Sequence, residues 1–285
     1  QAVHVHANFP YAFPLKCAKK AGIKLRILHS HNSSEIENET NQLKRFISHI
    51  RRRQIEKQIE KYPTQYLACS DIAGKFMFFD KEFQWIKNGI NIKNFAFNES
   101  IRQEYRKKMK IDDDTVVVGF IGRYREQKNP LYLIDIFSQY NKLNSNSILL
   151  MIGIGEMQED IDKKISLLGL EDKVVQLGKR EDTNNLYQVM DAFLLPSIYE
   201  GLPVVLVEAQ TAGLKCFVSD TITRQIQITE LIHYYSIEDC PEQWAKCINE
   251  EMQQYQRRDH SEEVALAGFD MADVAKELER IYLSV

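Results

Sequence analysis

Short apolar runs, each followed by a stretch of helical periodicity, recur along the whole chain, and this alternation limits the fold more than any other feature. The runs lie at 2–6, 25–28, 65–69 and 84–86, then at 115–121, 148–152, 174–177, 192–195 and 215–218, and all are too short to be helices. Several, such as Ile148-Leu149-Leu150-Met151-Ile152, are apolar without alternation, so both faces must be covered. That is the pattern of parallel strands wrapped by helices in βαβ units, an α/β class. The longest helical stretch, 35–62, carries Leu43, Phe46, Ile47, Ile50, Ile55 and Ile59 as one stripe and is stopped by Pro63. At about 150 residues per domain, 285 residues make two domains. The chain turns polar after Asn88-Gly89-Ile90-Asn91 and enters a basic helix at 101–110, which places the boundary near residue 95. The expected division is a domain at 1–94, a second at 95–270, and a closing helix at 271–285. The tail supplies Val264, Leu266, Phe269, Met271, Val274, Leu278 and Ile281 at near-helical spacing.

Composition narrows the function. With 37 Lys and Arg against 40 Asp and Glu, the net charge of −3 argues against a nucleic-acid partner. No apolar run approaches the roughly 18 residues of a spanning helix. Cys17, Cys69, Cys216, Cys240 and Cys247 form no C-x-x-C pair, which argues against a disulfide framework and fits a reducing cytoplasm. No secretory signal pattern opens the chain. Gln1 instead runs straight into a strand, and residues upstream of it are expected to be missing, leaving the first domain incomplete.

In open parallel sheets ligands sit beyond the carboxyl ends of the strands. Three loops there stand out. The first, 122–130, brings Arg123, Arg125 and Lys128 to a helix opened by Pro130. Cations beside a helix N-terminus make an anion site suited to a diphosphate, although either cation alone reads as a solvated loop residue. The second, Gly153-Ile154-Gly155, has Gln158 where a dinucleotide fingerprint needs its third glycine, and no acidic residue ends a strand about 20 positions on. No P-loop pattern occurs. The third, 196–203, carries Glu200, with Glu208 eight residues further on and two turns into a helix. The two cannot be a close acid/base pair, but could accept hydrogen bonds from different hydroxyls of one extended ligand. A turn cap and an ion pair are the plain alternatives. In the first domain His4 and His6 share one strand face, and His29-Ser30-His31-Asn32 follows another strand. Four histidines could hold a metal or simply line a polar cleft, and the second reading is preferred.

Together these loops resemble the retaining glycosyltransferases of family four. The resemblance rests on Asn88-Gly89-Ile90, Gly122-Arg123 with Gln127-Lys128-Asn129, Gly153-Ile154-Gly155, Leu177-Gly178-x-Arg180 with Asp182, and Glu200-Gly201-Leu202-Pro203 through Glu208-Ala209. It implies a GT-B fold, two Rossmann-like domains with a cleft between them. It implies transfer of a hexose or N-acetylhexosamine from a nucleoside-diphosphate sugar, UDP-linked, to a saccharide or lipid-linked acceptor in polysaccharide biosynthesis. No cofactor beyond this co-substrate, and no metal, is implied. Arg123 and Lys128 match the cations on the donor diphosphate, and Glu200 matches the glutamate on the transferred sugar. Glu208 matches the glutamate on the ribose. Backbone amides of Gly201, Leu202, Pro203, Val204 and Val205 would touch phosphate and ribose, the base would lie near Lys179 and Arg180, and His31 aligns with the histidine facing the donor sugar. Catalysis would fall to Glu200, His31, Arg123 and Lys128 through positioning and charge stabilisation. The family's opening strand and glycine-rich loop do not precede Gln1, and Asn91 replaces its usual Asp.

The cations Lys44, Arg45, Arg51, Arg52, Arg53 and Lys57 read first as a solvated helix face with partners such as Glu56 and Glu60. The resemblance adds a second reading, contact with anionic lipid at the inner membrane face. Two rivals to the transferase are an epimerase of the same fold, which the spacing of Glu200 and Glu208 disfavours, and a non-catalytic sugar-nucleotide-binding module or truncated partner subunit.

Overall fold

The computed structural model describes residues 1–31, 42–253 and 255–284. It divides into two compact units, Gln1–Gly89 with Met271–Val285, and Ile90–Asp270. Unit 1 is a four-stranded parallel sheet in the order β1-β2-β3-β4, formed by β1 (Ala2–Ala7), β2 (Leu25–Ser30), β3 (Gln65–Ala68) and β4 (Gln84–Trp85). The connecting helices are α1 (Phe13–Lys20), α2 (Gln42–Lys61) and α3 (Asp71–Phe78). Ser70 caps α3 by accepting the Ala73 N–H at 3.2 Å. Leu15, Leu28, Ile59, Ala68, Met77 and Phe78 form the core on one face of the sheet.

Unit 2 is a six-stranded parallel sheet in the order β10-β9-β8-β5-β6-β7. Its strands are β5 (Val116–Ile121), β6 (Ser147–Ile152), β7 (Val174–Gln176), β8 (Ala192–Leu195), β9 (Lys215–Ser219) and β10 (Ile232–Tyr235). Its helices are α4 (Ile92–Phe95), α5 (Glu99–Met109), α6 (Pro130–Leu143), α7 (Gln158–Leu167), α8 (Thr183–Val189), α9 (Val204–Thr211), α10 (Pro241–Met252) and α11 (Ser261–Val264). The chain winds outward from β5 in one direction and from β8 in the other, so the topological switch lies between these two strands. Ligands of doubly wound sheets bind beside that switch, at the strands' carboxyl ends.

The last helix, α12 (Met271–Leu283), belongs to unit 1, where Val274, Leu278 and Ile281 cover Leu25, Ile27, Leu67 and Ile86. The tail's apolar stripe is therefore split between the units. Gly268, at φ +82°, takes the left-handed conformation that ends the preceding turn. The division at Ile90 precedes the expected boundary near 95, because 90–98 is tied into unit 2. Ile90 N–H donates to Phe269 O at 2.9 Å. The buried Gln188 amide donates to Phe95 O and Ala96 O, both at 3.3 Å, and its Oε1 accepts from Asn98 N at 3.0 Å.

The carboxyl end of α8 presents unpaired carbonyls inside unit 2, as every helix end must. Three arginines collect them. Arg257 donates to Ala212 O, Gln188 O, Met190 O and Tyr187 O at 2.7–3.0 Å and stacks over Phe97. Arg102 donates to Gln188 O, Val189 O and Met190 O, and pairs with Asp191 at 2.6 Å. Arg106 is buried and joins Val189 O and Asp191 to Asp112 O and Thr115 O. The basic helix expected at 101–110 thus turns two of its cations inward.

Candidate functional site

The loop after β5 is fixed by the glycine pair after β6. A Cβ on Gly153 would stand 1.8 Å from Gly122 O, and one on Gly155 2.2 Å from Tyr124 O. Only glycine lets these backbones pass so closely. Gly122 N–H then donates to Ile152 O and Tyr124 N–H to Ile154 O, both at 3.0 Å. Tyr124 is buried while its neighbour Arg123 is exposed, with no ion pair among the described residues. A short turn, Glu126–Lys128, and a left-handed Asn129 lead to Pro130, which opens α6.

The loop after β8 is stapled to it. Ile198 N–H donates to Gln127 O at 2.8 Å, and the Gln127 amide donates to Tyr199 O at 3.1 Å. These bonds bring Lys128 Nζ to 2.5 Å from Glu200 Oε1, with side chains only 16% and 8% exposed. A pair so withdrawn from water is stronger than a surface ion pair, but each partner would be costly to leave alone. The resemblance implies separate ligand groups for these two residues, and the structure pairs them with each other.

Beyond Glu200 the chain enters α9 with Pro203 at its N-cap. Pro203 has no N–H, so it cannot serve as one of the expected amide donors. Its carbonyl accepts from Leu206 N at 3.0 Å. Gly201, Leu202, Val204 and Val205 remain as donors around the helix N-terminus, a setting that favours anions. Within α9, Glu208 Oε2 accepts from the hydroxyl of Tyr187 at 2.8 Å, and the same hydroxyl lies 3.1 Å from Val205 O. Burial pushes the Glu208 carboxyl up to about 7, against the opposing pull of the Tyr187 hydrogen bond. Arg180 is exposed and forks onto Asp182 at 2.7 and 2.8 Å, which holds Asp182 below its ordinary carboxylate value.

In unit 1 the register of β1 on β2 sets His6 beside His29, with His4 two positions back on the same face. His4 Nε2 and His29 Nδ1 share a hydrogen bond at 3.2 Å, and His6 Nδ1 and His31 Nε2 share one at 2.7 Å. The outer nitrogens are also held: His4 Nδ1 lies 2.6 Å from the Tyr282 hydroxyl, and His31 Nδ1 lies 3.1 Å from Asn88 Oδ1. All four imidazoles have lowered pKa values, chiefly through burial. His4 falls to about 4 and His29 to about 2, each lowered further by the neighbouring rings. The cluster is neutral at pH 7. Tyr282 and Tyr187 carry no sequence signal of their own, since each reaches its partner only through the fold.

The side chains of Lys44, Arg45 and Arg51 lie outside the described residues. Arg52 pairs with Glu56 at 3.1 Å, as expected of a solvated face, and Arg53 and Lys57 are exposed. Among the described residues no helix is long and apolar enough to cross a membrane.

Residues 101–265, more than half of the chain, match the family model of the glycosyl transferases group 1. The chain belongs to this family. Among the chain's relatives, the putative glycosyltransferase EpsF of Bacillus subtilis is 31% identical over 255 residues, covering 87% of this chain and 65% of EpsF. The chain thus spans just under two thirds of that relative. The capsular polysaccharide biosynthesis glycosyltransferase CapH of Staphylococcus aureus is 25% identical over 99% of this chain and 76% of its own. In fold, the chain is similar to Anabaena HepE in complex with UDP-glucose, with a TM-score of 0.76 at 20% identity over 98% of this chain and 78% of HepE. The fold of this group 1 chain is GT-B, the α/β architecture of parallel sheets that the resemblance implied.

Proposed function

We propose that the protein is a retaining glycosyltransferase that moves a hexose or N-acetylhexosamine from a UDP-linked donor to a saccharide or lipid-linked acceptor in polysaccharide biosynthesis. The observation that carries this reading is the convergence at the switch between β5 and β8, where exposed Arg123, the Lys128–Glu200 pair and the N-terminus of α9 come from adjoining loops. The names of EpsF and CapH, and the UDP-glucose bound by HepE, support the same class.

On this reading the acceptor oxygen attacks the anomeric carbon on the face the diphosphate leaves. The bond from that carbon to phosphate oxygen breaks, and the acceptor proton passes to the departing phosphate. No side chain need act as nucleophile. Arg123, Lys128 and the amides of α9 stabilise the charge gathering on the leaving diphosphate. Donor entry draws Lys128 towards phosphate and leaves Glu200 to accept from sugar hydroxyls, so the ion pair keeps both charges compensated until the donor arrives. Tyr187 holds the Glu208 carboxylate for the ribose.

The test is Glu200→Ala, assayed by UDP release from UDP-glucose, UDP-galactose and UDP-N-acetylglucosamine and by calorimetric binding of UDP. The expected result is a loss of turnover of about 100-fold or more, with UDP binding reduced far less. Unchanged turnover removes Glu200 from the site. Binding of UDP with no turnover of any donor, in a protein that folds normally, favours the non-catalytic binding module.

A further inference from the structure

We propose that His4, His6 and His29 form a binding site for a divalent transition-metal ion of the zinc class, built wholly within unit 1. One ligand atom from each residue lies within 4.8 Å of the others. Two nitrogens bound to one tetrahedral zinc at about 2.0–2.1 Å stand about 3.4 Å apart. His4 Nε2 and His29 Nδ1, at 3.2 Å, already have that spacing. His6 lies on the exposed part of β1, its ring centroid 4.1 Å from that of His4 and 5.1 Å from that of His29.

Three further observations favour a metal over a merely polar lining. First, the ligand set is imidazole alone, and no carboxylate hydrogen-bonds to any of the three rings among the described residues. An all-imidazole set selects zinc, copper or nickel over magnesium or calcium. Second, metal-bound histidines are held through their other nitrogen, and the Tyr282 hydroxyl at His4 Nδ1 does this, turning Nε2 towards His29. Third, His29 is 3% exposed, so the packing around it fixes its ring with Nδ1 against His4 Nε2. His31 shares its Nε2 with His6, so metal binding exchanges the His6–His31 hydrogen bond for a metal bond and leaves His31 Nε2 facing outward from Asn88.

The experiment is titration of the tag-free chain with cobalt(II), read by its visible absorption, followed by displacement with zinc. One equivalent of cobalt with the intense bands of tetrahedral nitrogen coordination is expected, fully displaced by zinc. His6→Ala and Tyr282→Phe alter exposed residues, so both variants should keep the wild-type far-UV spectrum. The first should lower affinity by about 100-fold and the second by about tenfold. Glu230→Ala serves as the control, because Glu230, His260 and Glu263 form the other group of metal-type ligands among the described residues. The proposal is overturned if the wild type gives no tetrahedral cobalt spectrum, if His6→Ala binds as the wild type does, or if Glu230→Ala alone abolishes binding. Donor binding plays no part in these readouts, so they stand or fall independently of the transferase reading.

Discussion

The two units hold the polar groups around a parallel sheet with opposite chemistry. Unit 2 uses permanent charge: buried arginines on the end of α8, at the amino ends of β5 and β8, and the Lys128–Glu200 pair between two loops at the carboxyl ends. Unit 1 uses neutral rings, four imidazoles joined in two hydrogen-bonded pairs. A charged network is indifferent to pH near neutrality but collapses when one member is removed. A cluster of neutral imidazoles tolerates a conservative change better, but must resist protonation. A shared parallel-sheet topology therefore does not dictate whether charge or neutral rings satisfy its polar groups, and each unit can be checked separately.

The largest expected effect is the removal of a staple from unit 2. Arg257→Met strips the Arg257 donor from Tyr187 O and Ala212 O and leaves Gln188 O and Met190 O to Arg102 alone, and should cost about 2–5 kcal/mol, measured by urea unfolding. A loss below about 1 kcal/mol would mean that Arg257 is a bystander and that the contrast between the units is superficial.

Acidification should discriminate next. His4 and His29 have folded values of about 4 and about 2 against an ordinary 6.5, so the unfolded chain binds protons that the folded unit refuses. Their contribution is complete above pH 6.5 and is lost as pH falls through the folded values. The two tryptophans allow each unit to be followed alone, since Trp85 lies in unit 1 and Trp244 in unit 2. With Trp244→Phe and Trp85→Phe variants, fluorescence should show unit 1 opening at higher pH than unit 2. Coincident transitions, or unit 2 opening first, would break the comparison.

The smallest effect has the opposite sign. Glu208, raised from 4.5 to about 7, makes unit 2 bind a proton that the unfolded chain releases. Its burial is therefore without cost below pH 4.5 and costs stability as pH rises through 7. Glu208→Gln should raise stability at pH 8 by about 1–3 kcal/mol, with the gain shrinking towards pH 5, while weakening UDP binding. A variant less stable at pH 8 would show that the carboxylate is already well compensated.

Much of this was legible in the sequence where a residue's position along a strand determines its surroundings. The apolar runs of β5, β6 and β8 announced buried parallel strands, and Arg123, Lys128 and Glu200 stood out because they follow strand ends. β10, Ile232-His233-Tyr234-Tyr235, was not legible, since one aliphatic residue among polar rings gives no apolar run. Tyr187 and Arg257 were hidden for a different reason: a hydroxyl that meets Glu208, and a guanidinium that meets helix-end carbonyls, depend on distances created by the fold. Gly153 and Gly155 stood out in the sequence only as a loop that fails the dinucleotide fingerprint, and their need for glycine comes from the backbone at Gly122 and Tyr124 that passes against them.

The proposed nucleoside-diphosphate sugar site lies in the loops at the switch between β5 and β8. The most direct measurement is calorimetric titration of the wild type and Lys128→Ala at pH 8, without added metal. The ligands are UDP, GDP, UDP-glucose, UDP-galactose, UDP-N-acetylglucosamine and GDP-mannose. The account predicts selective binding of UDP and one UDP-sugar by the wild type, weakened about tenfold or more in Lys128→Ala. Absence of nucleotide binding by the folded wild type, or equal affinity in the variant, would contradict it.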